Sequence, residues 1–190
     1  MRRGFKAEAE RLAEQLRTEM GKRPFDQVGA IDIATHIGAE VMRADQLTTL
    51  SKLEALEQLQ PGAFSACTFS IGDRHVIVYS PLATLGRTQS DVAHEVAHIV
   101  LKHQVKTVST IASTSFFTCD ADEEQEANWL AGCLLLPRPM LLRAAKNGLD
   151  AASIATTYSV SETMASFRLR TTGVIRQLTA GQPGASNIAR

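Results

Sequence analysis

No apolar run in this 190-residue chain approaches the roughly 20 residues that a helix needs to cross a bilayer, which sets aside a membrane-spanning reading. An excess of one charge is also missing. Twenty Lys and Arg stand against 20 Asp and Glu, so the molecule as a whole has no polyelectrolyte character. Cysteine is scarce: Cys67, Cys119 and Cys133 are scattered, and none has the C-x-x-C spacing of a thiolate metal site. An odd count without a disulfide framework fits a reducing cytoplasm, with the thiols as small packing residues. The start, Met1-Arg2-Arg3-Gly4-Phe5-Lys6, leads into an amphipathic charged pattern and not a signal-peptide core. Internal repeats are absent.

What is present suits one globular domain: 44% of the residues are hydrophobic and 21% charged. A helical N-terminal part is expected over 1–60. Phe5, Ala9, Leu12, Ala13 and Leu16 recur at helical intervals over 5–20, a second helix is expected over 25–37, and a third over 47–59. His36 reads as structural or exposed. An extended piece at 39–42 precedes the third helix. Residues 63–70 and 75–80 alternate and are rich in Phe, Thr, Val and Ile, and Gly72-Asp73 between them suits a type II′ hairpin turn. Such a strand could carry an extended peptide by main-chain hydrogen bonds.

Chemistry concentrates in Ser90-Asp91-Val92-Ala93-His94-Glu95-Val96-Ala97-His98-Ile99-Val100-Leu101, which contains H-E-x-x-H. On a helix His94 and His98 lie about 40° apart on consecutive turns, so both imidazoles can face one metal ion. Glu95 sits about 100° from His94 and could reach a water at the metal as general base. Packing alone would be the bland account of a buried His pair. Yet the flanking apolar residues bury three ionisable groups together, which needs a strong compensating interaction. The helix is expected to start at an N-cap Thr88, with Asp91 as its capping-box partner, and to run to about His103. On that helix His103 lies about 140° from His98, and it reads as a terminal or surface histidine and not a ligand. Leu101 and Gln104 stand where a third-histidine motif would need Gly and His, which excludes that class.

Residues 104–119 form a Ser/Thr-rich connection that could border a cleft or hold another strand. A helix then opens at Asp120, with Glu123 at the capping-box position, and Pro137 ends it. Carboxylates at its start suit the helix dipole, but a two-His site also needs a third protein ligand, usually Glu. Glu124 and Glu126 point about 160° apart, so both cannot bind one ion. Asn128 is one turn from Glu124 and could contact the ligand shell.

The 138–180 part is expected to hold helices with helix-turn-helix-like spacing, with Ser159 and Glu162 as a capping box, and 181–190 to be a flexible tail. Residues 138–190 carry seven Arg or Lys against two acids. DNA contact through Arg168, Arg170 and Arg176 is the less favoured reading. Ile154, Ala155, Tyr158, Val160, Met164, Phe167 and Leu169 more simply describe two packed helices.

R-x-x-S-D-x-A-H-E-x-A-H-I-x-L from Arg87 to Leu101, followed by E-x-E-A-N-x-x-A-x-x-L-L-x-P from Glu124 to Pro137, resembles the ImmA/IrrE family of metallopeptidases. The likeness is firm over residues 76–137. It implies a gluzincin-like site with His94, His98 and Glu124 as Zn²⁺ ligands and Glu95 as catalytic base. It also implies a cytoplasmic protein that cleaves helix-turn-helix repressors and so derepresses stress-response or mobile-element genes. Leu130 stands where the family usually has Phe, with Trp129 beside it. The expected fold is α+β: a zincin-like single domain over 1–180, its small antiparallel sheet packed against several helices including that of the H-E-x-x-H motif. The expected function is a zinc metalloendopeptidase acting on a protein substrate. The alternative is a non-catalytic regulatory module that binds a repressor partner or DNA. Tyr79, His75 and the 104–119 connection are the candidates for stabilising the oxyanion.

Overall fold

The computed structural model describes residues 1–103, 108–111, 114–117 and 120–180. Helix α1 (Phe5–Glu19) buries Phe5, Ala9 and Ala13, one per turn. The two alanines let it lie close on the helix that carries Glu124. Arg17 continues the same stripe and is buried by donating Nη1 to the Asp26 carbonyl at 2.7 Å and Nη2 to the Leu134 carbonyl at 3.1 Å. Helix α2 (Ala30–His36) is shorter than the pattern over 25–37 suggests. Residues before it are held in a turn by Arg23 on Asp26 and by the Arg17 bond, and Gly29 enters the helix in an extended conformation.

Strand β1 (Glu40–Arg43) leads through a 3₁₀ turn at Ala44–Gln46 to α3 (Leu50–Leu59), which begins three residues later than expected because Thr49 is its N-cap. Strands β2 (Ala66–Ile71) and β3 (Arg74–Tyr79) form the expected hairpin, with Thr68 opposite Ile77. Gly72 takes φ 61°, as the first central position of a type II′ turn requires. The sheet order is β1-β3-β2. β1 runs parallel to β3 and β2 antiparallel, so the expected antiparallel pair gains a parallel strand and the sheet is mixed. β2 is left at its edge among the described strands.

Helix α4 (Leu85–Val100) carries the H-E-x-x-H motif, and α5 (Ala121–Leu135) packs along it. α5 is buried on every side from Trp129 to Leu135, the signature of a central helix. Each fully buried Leu there, such as Leu130 and Leu134, contributes on the order of 2 kcal/mol. Strands β4 (Val108–Ile111) and β5 (Thr114–Phe117) pair antiparallel between the two helices in sequence. The remainder of the 104–119 connection, including Cys119, lies outside the described residues, as does the tail expected at 181–190.

Helices α6 (Arg138–Lys146), α7 (Ala151–Tyr158), α8 (Glu162–Thr171) and α9 (Val174–Ala180) complete the domain. Ser159, expected as a cap of α8, instead ends α7 in the left-handed region, and Ser161 caps α8 through Met164 N–H. The α7–α8 turn clamps the start of α4. Ser161 N–H donates to Ser90 Oγ at 2.8 Å, and a Cβ on Gly86 would fall 2.5 Å from the Val160 carbonyl oxygen.

Candidate metal centre

α4 begins four residues before the expected Thr88. Thr84 is its N-cap, accepting from Arg87 N–H, and Asp91 pairs with Arg87 along the helix at 2.8 Å. Burial is the leading influence on Asp91 and raises its carboxyl above the usual range, against the pull of Arg87. The longer lead-in runs α4 across the α7–α8 turn and directs its second half at the first turn of α5. That turn is fixed by Asp120, whose carboxylate accepts the N–H groups of Asp122 and Glu123.

The outcome is a tight group of donor atoms. His94 Nε2 lies 3.0 Å from His98 Nε2, Glu124 Oε2 lies 3.2 Å from His94 Nε2, and Glu124 Oε1 lies 3.5 Å from His98 Nε2. Ligand atoms at about 2 Å from a tetrahedral ion are about 3.3 Å apart. One imidazole nitrogen from each histidine and the two oxygens of one carboxylate therefore stand near ligand spacing, one oxygen facing each imidazole, and the group could hold a metal ion. The donor set, two imidazoles and a carboxylate, suits Zn²⁺ among biological cations.

Glu95 lies beside this group and is only 5% exposed. Its Oε2 accepts a 2.7 Å hydrogen bond from Thr68 Oγ1 on β2, so the edge strand holds the carboxylate in place. Sequence reasoning missed Thr68, because nothing in its local pattern separates it from the other strand threonines and serines. The signal is tertiary: β2 crosses α4 at the motif. Asn128 turns its amide to the Glu124 main-chain carbonyl at 2.8 Å, which braces the backbone of that turn. Glu126 faces away from the donor group, accepting from Arg2 N–H at 2.9 Å and from its guanidinium.

His103 stands at the terminus of α4, one of the two placements expected of it, but turned inward and not out to the surface. α4 ends at Val100, and Lys102 takes the left-handed region at φ 54°. Lys102 N–H bonds to the Ile99 carbonyl and His103 N–H to the His98 carbonyl, a Schellman ending that turns the chain back on itself. The His103 side chain is thereby 7% exposed, with Nδ1 3.0 Å from His98 Nδ1.

A cleft of about 670 Å³ opens at the donor group. His94 and Glu124 line it together with Met164, Phe167 and Arg170 of α8 and with Arg87 and Asp91 of α4. Neither Tyr79 nor His75 lines it. His75 is instead 3.1 Å from Ser70 across the hairpin. The 104–119 connection, the third oxyanion candidate, has no described side chains.

A family model, Peptidase_M78, described as an IrrE N-terminal-like domain, matches residues 36–170. A solved structure described as a Mycobacterium tuberculosis transcriptional regulator aligns with a TM-score of 0.54 at 20% identity, over 90% of this chain and 48% of that one. At that identity the likeness is one of fold, and the chain spans about half the length of that protein. No curated protein matches the sequence significantly.

Proposed function

Since the chain belongs to the IrrE N-terminal-like peptidase family, we propose that it is a zinc-dependent endopeptidase whose metal is held by His94, His98 and Glu124 and whose general base is Glu95. The observation that carries this reading is the convergence of two imidazole nitrogens and one carboxylate, with 3.0–3.5 Å between neighbouring donor atoms, beside a buried carboxylate anchored by Thr68. A Zn²⁺ ion bound there supplies a Lewis acid that brings the pKa of water towards about 7 and polarises a carbonyl oxygen. The chain supplies the rest. Glu95 accepts a proton from the attacking water and passes it to the departing amine nitrogen as the peptide C–N bond breaks. Thr68 keeps Oε2 fixed, which leaves the other carboxylate oxygen for the proton. The outer edge of β2 offers main-chain groups to an extended peptide, and the cleft beside His94 receives a side chain next to the scissile bond.

The substrate proposed is a helix-turn-helix transcriptional repressor, in line with the family resemblance, and the working compartment proposed is the cytoplasm. No described helix is long and apolar enough to cross a membrane. DNA binding by this chain is disfavoured by Arg168, which is fully buried on Glu10 and the Leu136 carbonyl and so withdrawn from any surface role.

The test uses purified wild type and Glu95→Gln, their metal content by mass spectrometry, and incubation of each with the repressor encoded beside the gene. One metal per chain in both and cleavage by wild type alone is the expected result. Cleavage by both would remove the base assignment. No metal in either would remove the metal centre.

A further inference from the structure

We propose that His103 is a positioning residue for the metal centre: its Nδ1 accepts the Nδ1–H of His98 and so presents His98 Nε2, unprotonated, to the point shared with His94 and Glu124. The inference rests on the metal-centre reading above and goes past it to a residue outside the H-E-x-x-H and Glu124 motifs.

The argument is one of tautomers. His98 Nε2 is the nitrogen facing His94 and Glu124, and a neutral imidazole can ligate through it only when its proton is on Nδ1. The ring is only 13% exposed, so an N–H on that nitrogen calls for an acceptor. His103 Nδ1 stands 3.0 Å away and accepts if its own proton is on Nε2. Behind it, Glu126 Oε2 lies 3.9 Å from His103 Nε2. That is beyond a direct hydrogen bond, but it places a negative charge where the Nε2 proton is favoured. Glu126 is in turn held by the main-chain N–H and guanidinium of Arg2. One chain of contacts therefore runs from the metal point through His98, His103 and Glu126 to the N-terminal segment.

The backbone shows what this placement costs. Lys102 occupies the left-handed region, which is disfavoured for a non-glycine residue. That conformation is what folds His103 back onto His98 instead of letting it follow the helix outward.

The experiment compares full-length wild type, His103→Leu and His103→Asn for Zn²⁺ affinity by competition with a chromophoric chelator. The metal-free forms are melted alongside, and the Co²⁺ absorption spectrum is recorded as a report on ligand geometry. Asn can place Oδ1 where His103 Nδ1 was, so it keeps the acceptor, whereas Leu removes it and keeps the volume. Zn²⁺ affinity is expected to fall about 10- to 100-fold in His103→Leu. The Asn variant should recover most of that loss, the Co²⁺ bands should shift in Leu alone, and the metal-free melting temperatures should stay close together. Equal Zn²⁺ affinity in wild type and His103→Leu overturns the inference while leaving the metal centre intact. Equal losses in Leu and Asn also overturn it, since the acceptor would then be irrelevant. Failure of the wild type itself to bind metal overturns the metal-centre reading, and the inference with it.

Discussion

Two clusters of wholly or partly buried ionisable side chains stand in this small domain, and they are built on opposite principles. Around α4 and α5, His94, His98 and Glu124 bring lone pairs to a common point, with Glu95 beside them. Around α8, Arg168 is met by acceptors on one side of its guanidinium: Nη2 meets Glu10 at 2.6 Å, and Nε and Nη2 meet the Leu136 carbonyl at 3.1 and 2.9 Å, while Nη1 is buried without a hydrogen-bond partner among the described residues. Both sit against the same apolar core, and both pay desolvation. Burial of charge therefore does not by itself mark function here. The difference is complementarity: donors answer acceptors in the Arg168 cluster, while acceptors gather in the His–Glu cluster as they would around a cation.

If that contrast is right, substitutions in the two clusters separate activity from stability. The largest effect is expected from Glu95→Gln, which keeps the Thr68 bond and removes the proposed base. Cleavage of the proposed repressor substrate should fall by about 10²- to 10⁴-fold, with metal content and urea midpoint little changed. A variant that cleaves normally would break the contrast at its functional end. Arg168→Leu should do the reverse. It leaves Glu10 and the Leu136 carbonyl without their cation, and a loss of about 3 kcal/mol in unfolding free energy is expected. Part of the penalty is spared because the Glu10 side chain is 27% exposed. Metal bound per folded chain should be unchanged, and a parallel loss of metal affinity would show that the clusters are one unit.

Two finer substitutions sharpen the same division. Thr68→Val removes the hydroxyl that holds Glu95. A hydrogen bond to a charged group is worth about 2 kcal/mol, so kcat/KM should drop about 30-fold with zinc affinity retained. Zinc loss would instead make Thr68 part of the metal support. Gly132→Ala acts on the other cluster. The added Cβ would stand 2.5 Å from Arg168 Cδ, and that side chain cannot retreat without giving up its anchors. Overpacking outweighs the roughly 1 kcal/mol that Ala gains over Gly in a helix, so a net loss of about 1 kcal/mol is expected by chemical denaturation.

Legibility in the sequence divided along similar lines. His94, Glu95 and His98 are related by one turn of one helix, so their convergence is a local property that spacing alone displays. The hairpin and its Gly72 turn were equally local. Glu124 and Glu126 could be separated by helical angle but not assigned by it, because the choice depends on how α5 lies on α4. Thr68 on Glu95 and Arg168 on Glu10 are tertiary contacts, the second spanning 158 positions, and no periodicity announces them. His103 was legible as a terminal histidine, but its inward direction was not, for a specific reason. A helical wheel carried past Val100 places it away from His98, whereas the left-handed turn at Lys102 breaks the wheel. The α4 start was misread because Thr84 and Thr88 are both good caps, and the winner is decided by docking against the α7–α8 turn.

Cys133 offers the smallest and cleanest test of the matched cluster. Burial pushes its thiol up to about 12 from an ordinary value of 9.0, with Arg168 pulling it down and Glu10 pushing it up. For an acid whose folded value is raised, the unfolded chain releases the proton first. Stability is therefore intact below the unfolded value and declines as pH rises from there towards the folded one. Between pH 8 and pH 10 the wild type should lose about 1 kcal/mol relative to Cys133→Ala, read as the change in the difference between their urea unfolding free energies. The Ala variant starts lower, because it leaves a small cavity, so the signature is the narrowing of the gap and not its size. In the same range the thiol should resist alkylation in the folded protein. A gap that stays constant from pH 8 to pH 10 would mean that the thiol ionises as readily in the fold as outside it. The Arg168 pocket would then not be the dry, matched environment that sets it apart from the cluster on α4 and α5.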